Sequence, residues 1–499
     1  MAPGADSSAA ASPWPAPEAS GPVDAALALP GSKSITNRAL ILGALATEPT
    51  EATLIRRPLR SRDTLLMAGA LEQLGARIAA QPFPGEEAGE DAGAGPDALT
   101  VAPLGTPAAT SAVSAQVDVG NAGTVLRFVP PVATLVTGDV AFDGDPRARE
   151  RPVGGLLGAL RGLGAHVEDG GRAALPFRII GGGGIRGGAV SLDASGSSQL
   201  ISALLLAGAR FQDGVRACHE GPPVPSAPHI AMTVQMLRAA GVDAGQEHDA
   251  GRPVWWVRPG PVRPGVVDVE PDLSNAAPFL AAAVVTGGSV TVAGWPERTT
   301  QPGDALRELL TEAGARCELT PAGLTVRGGA AIRGITASLR DVSELAPVLT
   351  ALAALASSPS RFTGIGHMRS HETDRLAALA AEINALGGDV RELPDGLEIR
   401  PRTLRAAGPG GSGSGVFGSH DDHRLVMAAA VLGLAVPGLR VGNPATVGKT
   451  LPGFTSLWAA MLTGAPVSGA AAGGTAPAQP ARGRRRAGPV PAASPERTP

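Results

Sequence analysis

Lysine occurs at two positions only, Lys33 and Lys449, in a chain of 499 residues that carries 42 Lys and Arg together. Where nearly every other positive charge is a planar guanidinium, these two mark places that need a compact, rotatable ammonium. Lys33 stands in a loop of small donors, Ser32, Lys33 and Ser34 with Arg38 close behind. Two further loops have the same character: Asn121, Gly123 and Thr124 with Arg127, and Ser197, Ser198 and Gln199. Each runs directly into an apolar helical pattern, so free backbone N–H groups and the positive helix end favour phosphate or carboxylate there. One such loop is ordinary N-capping by Ser or Thr; three, two with their own cation, indicate anion binding. The remaining charged motifs are DPRARERP with Arg147, Arg149 and Arg151, RSHETDR with Arg369, His371, Glu372 and Arg375, DDHR with Arg424, and GKT with Lys449. Arg beside Glu at a helix start clamps a carboxylate while the acid moves a proton; Arg147 and Arg149 read equally well as solubilising surface charge.

Other chemistries fit less well. GKT at Gly448 to Thr450 has Asn443 where a P-loop needs Gly, and Pro452 interrupts the helix start that should follow. The GGGG run at Gly181 to Gly184 lacks the surroundings of a dinucleotide site and reads as a turn. His367, His371, His420 and His423 beside Asp421 and Asp422 form the one set resembling metal ligands, but Arg375 and Arg424 next to them oppose a dication. No metal and no cofactor are expected.

The elements that hold these loops repeat. Six polar loops enter Ala/Leu-rich helices, starting at Gly31, Gly120, Ser195, Asp272, Asp341 and Asp421, which lie 89, 75, 77, 69 and 80 residues apart. After five of the six comes a second amphipathic helix that stops at a Gly before a strand: Gly75, Gly164, Gly241, Gly314 and Gly387. Gly there fits the left-handed C′ position that ends a helix. The chain is therefore six small mixed α/β units, longer than solenoid repeats. Stretches such as LLLAGA and AAAVVTGG are apolar all round, which predicts first helices packed inward and sheets outward, three units to a domain.

A net charge of −3 excludes a globally basic nucleic-acid binder, and no run of 18 apolar residues suggests a membrane span. Two cysteines, Cys218 and Cys317, fit a reducing compartment, so a cytoplasmic location is expected. Residues 1–22 and 465–499 are Ala/Pro/Gly-rich and read as disordered tails, the second ending in a basic cluster at Arg482, Arg484, Arg485 and Arg486. A stretch from about Pro82 to Thr110 reads as a long surface insertion.

Taken in order, GSKSITNRAL, GNAGTVLR, the ERP of RERP, SGSSQ, HETDR, DHR and GKTLP resemble the 5-enolpyruvylshikimate-3-phosphate synthase family, from about Val23 to Leu462. The resemblance implies an α/β fold of two similar globular domains, each of three βαβαββ units with buried helices and outer sheets. It divides the chain into a first domain, 32–269, and a second formed by 23–31 and 270–464. It implies transfer of enolpyruvyl from phosphoenolpyruvate to the 5-hydroxyl of shikimate 3-phosphate, with release of phosphate, by a cytoplasmic monomer without metal or organic cofactor. Motif by motif, the shikimate 3-phosphate site would use Lys33, Ser34, Arg38, Ser197, Ser198, Gln199, Ser226, Glu344 and His371. The phosphoenolpyruvate site would use Lys33, Gly123, Arg151, Arg375, Arg424 and Lys449. Glu344, Glu372 and Lys33 are the catalytic candidates, with Glu344 accepting the hydroxyl proton and Glu372 serving the methylene carbon. Glyphosate is the inhibitor expected at the phosphoenolpyruvate site.

The chain departs from the family pattern in places. Many members have Asp at Glu344 and Lys at His371, Lys-Pro-Tyr where Ala227, Pro228 and His229 follow Ser226, and Pro at Phe128. Glu344 with HETDR looks like an actinobacterial branch. Two rivals stand beside this reading. The sister transferase acting on UDP-N-acetylglucosamine has a Cys in the loop near Arg151, which DGDPRARERP lacks; a catalytically dead polyanion binder would not need both Glu344 and Glu372.

Overall fold

The computed structural model describes residues 12–48, 52–81, 98–105, 112–406, 415–464 and 467–468. The second unit displays the repeat in full. Strand Val113–Asp118 leads through helix Gly123–Ala133 to the parallel strand Thr137–Asp143, then through helix Gly154–Gly162 to the antiparallel hairpin His166–Glu168 and Phe177–Gly182. The third unit builds the same four-stranded sheet from Gly188–Leu192, Val215–His219, Ala244–Asp249 and Arg252–Val257, and the fifth from Thr336–Ser338, Ser360–Thr363, Asp389–Leu393 and Gly396–Arg400. All five glycines that close the second helices have left-handed φ, between 82° and 106°, as their C′ position requires.

Two units borrow their first strand from elsewhere in the chain. Val266–Asp268 lies parallel to Thr53–Arg56 in the first sheet, and Asp24–Ala28 lies parallel to Ser289–Ala293 in the fourth. The backbone thus crosses twice between two hydrophobic cores, one drawn from Ile35 to Val269 and the other from Ala16, Val23 and Leu27 together with Leu273 to Met461. In each core three Ala/Leu-rich helices form the centre: Lys33–Ala44, Gly123–Ala133 and Gln199–Gly208 in one, Ala277–Thr286, Ala346–Ala354 and His423–Gly433 in the other. Every residue of Gly123–Ala133, Ala346–Ala354 and His423–Gly433 is buried, and the other three inner helices bury all but one or two end residues, so the six are enclosed by the outer helices and sheets. Outer helices keep one wet face: Arg62–Gln73 buries Asp63, Thr64, Met67, Ala70 and Leu71.

Four expectations about loops and ends change. The segment read as a disordered start is placed from residue 12 on: Trp14–Pro15 pairs antiparallel with Arg440–Val441, Ala16 is buried, and the Trp14 ring meets Phe454 edge-on at 6.3 Å. The reason lies in the sixth unit, whose sheet holds only Val416–Phe417 and Arg440–Val441 of its own among the described residues. The N-terminal strand supplies its edge. At the other end Val467–Ser468 pairs with Leu27–Ala28, while the basic cluster at 482–486 lies outside the described residues. Within the expected insertion, Ala98–Ala102 is a strand between Thr53–Arg56 and Arg77–Gln81, with Val101 packed into the core; 82–97 and 106–111 lie outside the described residues. Of the glycine run, Gly181 and Gly182 belong to a strand, and only Gly183 and Gly184 turn with positive φ.

Candidate active site

The N-terminal ends of all six inner helices converge on one cavity between the two cores. Its walls carry Ser32, Lys33 and Ser34 from the first, Thr124 and Arg127 from the second, and Gly196, Ser197 and Gln199 from the third. Asp272 and Ser274 precede the fourth, Glu344 precedes the fifth, and His423 and Arg424 open the sixth. Arg151, His371, Glu372 and Arg375 complete the wall from the RERP and HETDR loops. Six positive helix ends aimed at one volume favour anions whatever side chains stand there.

Side-chain charge strengthens this field. Lys33, Arg127, Arg151, Arg375 and Arg424 face Asp272, Glu344 and Glu372, five cations against three carboxylates. Burial pushes the guanidinium of Arg127 down to about 9, with Arg151 adding repulsion, and also lowers Arg424 and Lys449. His229, His371 and His423 are likewise held below the usual imidazole range, first by burial and then by neighbouring cations. The Nε atoms of Arg127 and Arg151 are buried donors without a hydrogen-bond partner among the described residues. A site short of negative charge, with donors to spare, is built to receive polyanions.

The two carboxylates proposed for proton transfer live in opposite conditions. Glu372 is 8% exposed; its Oε1 accepts from Lys449 Nζ at 2.8 Å and lies 3.6 Å from Arg151, while its Oε2 accepts from Arg375 at 2.9 Å. Burial opposes its charge, yet Lys449, Arg151 and Arg375 together hold it well below the ordinary carboxylate range. Arg375 is itself fixed by Asp422, at 2.6 and 3.2 Å. Glu344 has no such clamp: His229 Nδ1 is 3.9 Å from Oε1, and Oε2 is buried with no hydrogen-bond partner among the described residues. Burial raises its proton affinity, but His229, Arg424 and Arg375 outweigh that and keep it ionised.

Of the residues singled out in the sequence, Lys33, Ser34, Ser197, Gln199, Arg151, Glu344, His371, Glu372, Arg375 and Arg424 line the cavity. Lys33 donates to Asp63 Oδ2 at 3.2 Å, and its backbone N–H to Asp272 Oδ2 at 3.0 Å. Lys449 stands behind Glu372 and reaches across to the Asn121 carbonyl at 2.9 Å. Gly123 begins the second inner helix directly under Arg127 and Arg151, where a Cβ would lie 2.8 and 2.6 Å from their guanidinium nitrogens. Arg38, Ser198 and Ser226 are not wall residues. Arg38 is buried behind Ser34, donating to the Ser34 and His229 carbonyls and to Thr233 Oγ1 at 2.9, 3.0 and 2.8 Å. Ser198 is buried at the third helix start. Ser226 has φ 50° and ties the cores together, its N–H donating to the Arg340 carbonyl at 2.9 Å and its hydroxyl meeting Ser343 Oγ at 3.2 Å.

Sequence reasoning did not place Asp63, His229, Asp272, Gln301 or His423 at the anion site, although His423 was weighed as a metal ligand. Asp272 was within reach, since it opens the fourth repeat in the place that Gly31 takes in the first. His423 sits one residue before Arg424. Asp63 gave no signal: only the fold brings its helix beside Lys33. No group of three or more His, Cys, Asp or Glu among the described residues is arranged to hold a metal ion.

Two cores built from repeated α/β units, with a cationic cavity at the meeting of six helix starts, define the enolpyruvyl-transferase class of fold. A family model described as EPSP synthase (3-phosphoshikimate 1-carboxyvinyltransferase) matches residues 17–458, and the chain belongs to that family. It is 51% identical over 451 residues to a 3-phosphoshikimate 1-carboxyvinyltransferase of Kocuria rhizophila, covering 90% of this chain and 96% of that one. Two solved EPSP synthase structures from Acinetobacter baumannii, each 23% identical, share the fold. Their TM-scores are 0.69 and 0.68; the first match covers 91% of this chain and 98% of that one, the second 89% and 96%.

Proposed function

We propose that this enzyme transfers the enolpyruvyl group of phosphoenolpyruvate to the 5-hydroxyl of shikimate 3-phosphate and releases phosphate, a step toward chorismate and the aromatic amino acids. The observation that carries the reading is the pairing of a polyanion cavity with two ionised carboxylates, Glu344 with an unengaged oxygen and Glu372 clamped by cations. We take 32–269 as one domain and 23–31 with 270–464 as the other, which the two separate cores support. A cytoplasmic monomer that binds no nucleic acid is part of the same reading; among the described residues no helix is long and apolar enough to cross a membrane.

In the reaction, the 5-oxygen bonds to C2 of phosphoenolpyruvate as its proton leaves, and the methylene carbon gains a proton to become methyl. The bond to phosphate then breaks, and the methyl loses a proton to restore the double bond. Shikimate 3-phosphate is assigned to Lys33, Ser34, Arg38, Ser197, Ser198, Gln199, Ser226, Glu344 and His371, with Arg38 also donating to the Ser34 and His229 carbonyls. Phosphoenolpyruvate is assigned to Lys33, Gly123, Arg151, Arg375, Arg424 and Lys449. Glu344, whose Oε2 is unengaged, accepts the hydroxyl proton. Glu372 handles the methylene proton. The cations that hold it ionised are those assigned to phosphoenolpyruvate, so an arriving phosphate and carboxylate divide that charge and raise the proton affinity of Glu372 where a proton must pass. The test is phosphate release from phosphoenolpyruvate with shikimate 3-phosphate and UDP-N-acetylglucosamine compared as acceptors. Turnover with the second and not the first refutes the assignment.

A further inference from the structure

One cation in the RERP loop points away from the cavity and toward the other core. Arg147, in the short helix Pro146–Glu150, donates from Nε to the His371 carbonyl at 3.1 Å and from Nη2 to the Arg369 carbonyl at 3.2 Å. Its third nitrogen, Nη1, pairs with Glu150 of its own loop. The accepting peptides end the turn Gly366–Ser370 and immediately precede Glu372. Arg149, two residues on, behaves differently: it pairs with Asp143 on its own core, with both side chains about half exposed. The loop thus offers three arginines with three separate destinations: Arg151 in the cavity, Arg149 on the surface, and Arg147 on the backbone that carries His371 and Glu372.

We propose that Arg147 is a positioning residue that couples approach of the two cores to the placement of Glu372 and His371, an inference that rests on the transferase reading above. The carbonyls it grips belong to the second core, so these hydrogen bonds exist only when the cores are together. The His371 carbonyl is part of the peptide bond to Glu372, and fixing it limits the arc through which the Glu372 carboxylate swings. The acid keeps Lys449 on its own core, but it meets Arg151 of the other core only when the two are together. Arg147 touches no substrate in this account and works through the 366–372 backbone.

The test compares the full-length wild type with Arg147→Ala, Arg147→Lys and Arg149→Gln. Kinetics are measured with phosphoenolpyruvate and shikimate 3-phosphate. Backbone amide exchange over 366–372 is measured with and without shikimate 3-phosphate plus glyphosate. A displaced catalytic acid lowers kcat about tenfold to a hundredfold, so Arg147→Ala should show that loss, with faster exchange over 366–372 in the ligand-bound state and an unchanged Tm. Arg147→Lys should recover part of kcat, since an ammonium reaches one carbonyl but not both, and Arg149→Gln should match wild type. If Arg147→Ala has a lowered Tm, the Lys variant decides: wild-type kcat and exchange there overturn the proposal. Arg147→Ala with kcat within about twofold of wild type, or a kcat loss without change in 366–372 exchange, also overturns it. A wild type that closes on the ligands but does not turn over sinks the transferase reading alone, because the exchange comparison still judges Arg147.

Discussion

Gly123→Ala tests the layout of the phosphoenolpyruvate site with one methyl group. The new Cβ would stand 2.6 Å from a terminal nitrogen of Arg151 and 2.8 Å from one of Arg127. To reach even a tight contact of 3.4 Å, the two guanidinium groups must retreat by about 0.8 and 0.6 Å. Arg151 holds the Asn121 carbonyl at 2.8 Å and Asn121 Oδ1 at 3.1 Å, so that retreat breaks at least one charge-assisted bond and shifts the cation assigned to phosphoenolpyruvate. Such a bond is worth about 1.5–3 kcal/mol, or roughly a ten- to hundredfold rise in the KM for phosphoenolpyruvate. Helix propensity works the other way, since Ala in place of Gly favours a helix by about 1 kcal/mol, so the fold should survive. The assay is steady-state kinetics varying each substrate in turn, with glyphosate inhibition beside it and thermal unfolding as the control. Phosphoenolpyruvate KM and glyphosate inhibition should weaken together while shikimate 3-phosphate KM stays close to wild type. Equal losses for both substrates, or none, would refute the placement of Gly123 under the two arginines.

His371 is neutral in the free protein because burial and then Arg375 disfavour its imidazolium, so binding a phosphate there takes up a proton and the acceptor KM rises with pH; His371→Lys should flatten the profile, and identical profiles would remove His371 from the site. Glu372→Gln leaves Lys449, Arg151 and Arg375 without their shared anion and should lower kcat by a factor of about a hundred or more; a wild-type kcat would end its role in proton transfer. The same residue shapes acid stability: its folded pKa is depressed, so its contribution is complete above the usual Glu value of about 4.3 and is lost as pH falls through the lower folded value. Chemical unfolding of the Gln variant should therefore depend less on pH than wild type in that acid range. Trp14→Ala should destabilise the protein by about 2 kcal/mol, since the half-buried ring covers Phe454 at the sixth sheet; an unchanged urea midpoint would show that the N-terminal strand adds nothing.

Much of the site could be read from sequence because its parts are local. A helix start with Ser, Gly or Asn needs no tertiary knowledge, and six of them at regular intervals announce a shared direction. The lone lysines were informative for a similar reason: composition alone made them exceptional. What stayed hidden depends on pairings across long stretches of chain. Trp14 and Pro15 look like part of a tail because nothing near them pairs with them; their partners are Arg440 and Val441. Asp63 reads as an ordinary helix-start acid until the fold sets it against Lys33. Arg38 follows Ser34 by four residues, and only the fold shows that its buried guanidinium donates to the Ser34 and His229 carbonyls.

The two crossings between the cores also set an order of events during synthesis. Strand Asp24–Ala28 leaves the ribosome early, yet its partner Ser289 follows Asp24 by 265 residues, and the partners of Trp14–Pro15 come later still. The core from Ile35 to Val269 is drawn from one unbroken stretch, closed by its own last strand, Val266–Asp268. It has everything it needs while the second half is still being made. The early N-terminal segment must wait unpaired beside it, and the paired backbones at Gly31 and Pro271 that join the halves form once Pro271 has emerged. The nascent chain therefore completes the cavity loops around Lys33 and Ser197 before Glu344 or Glu372 has been translated, so a ribosome stalled well past Asp268 should already carry one folded half of the cavity.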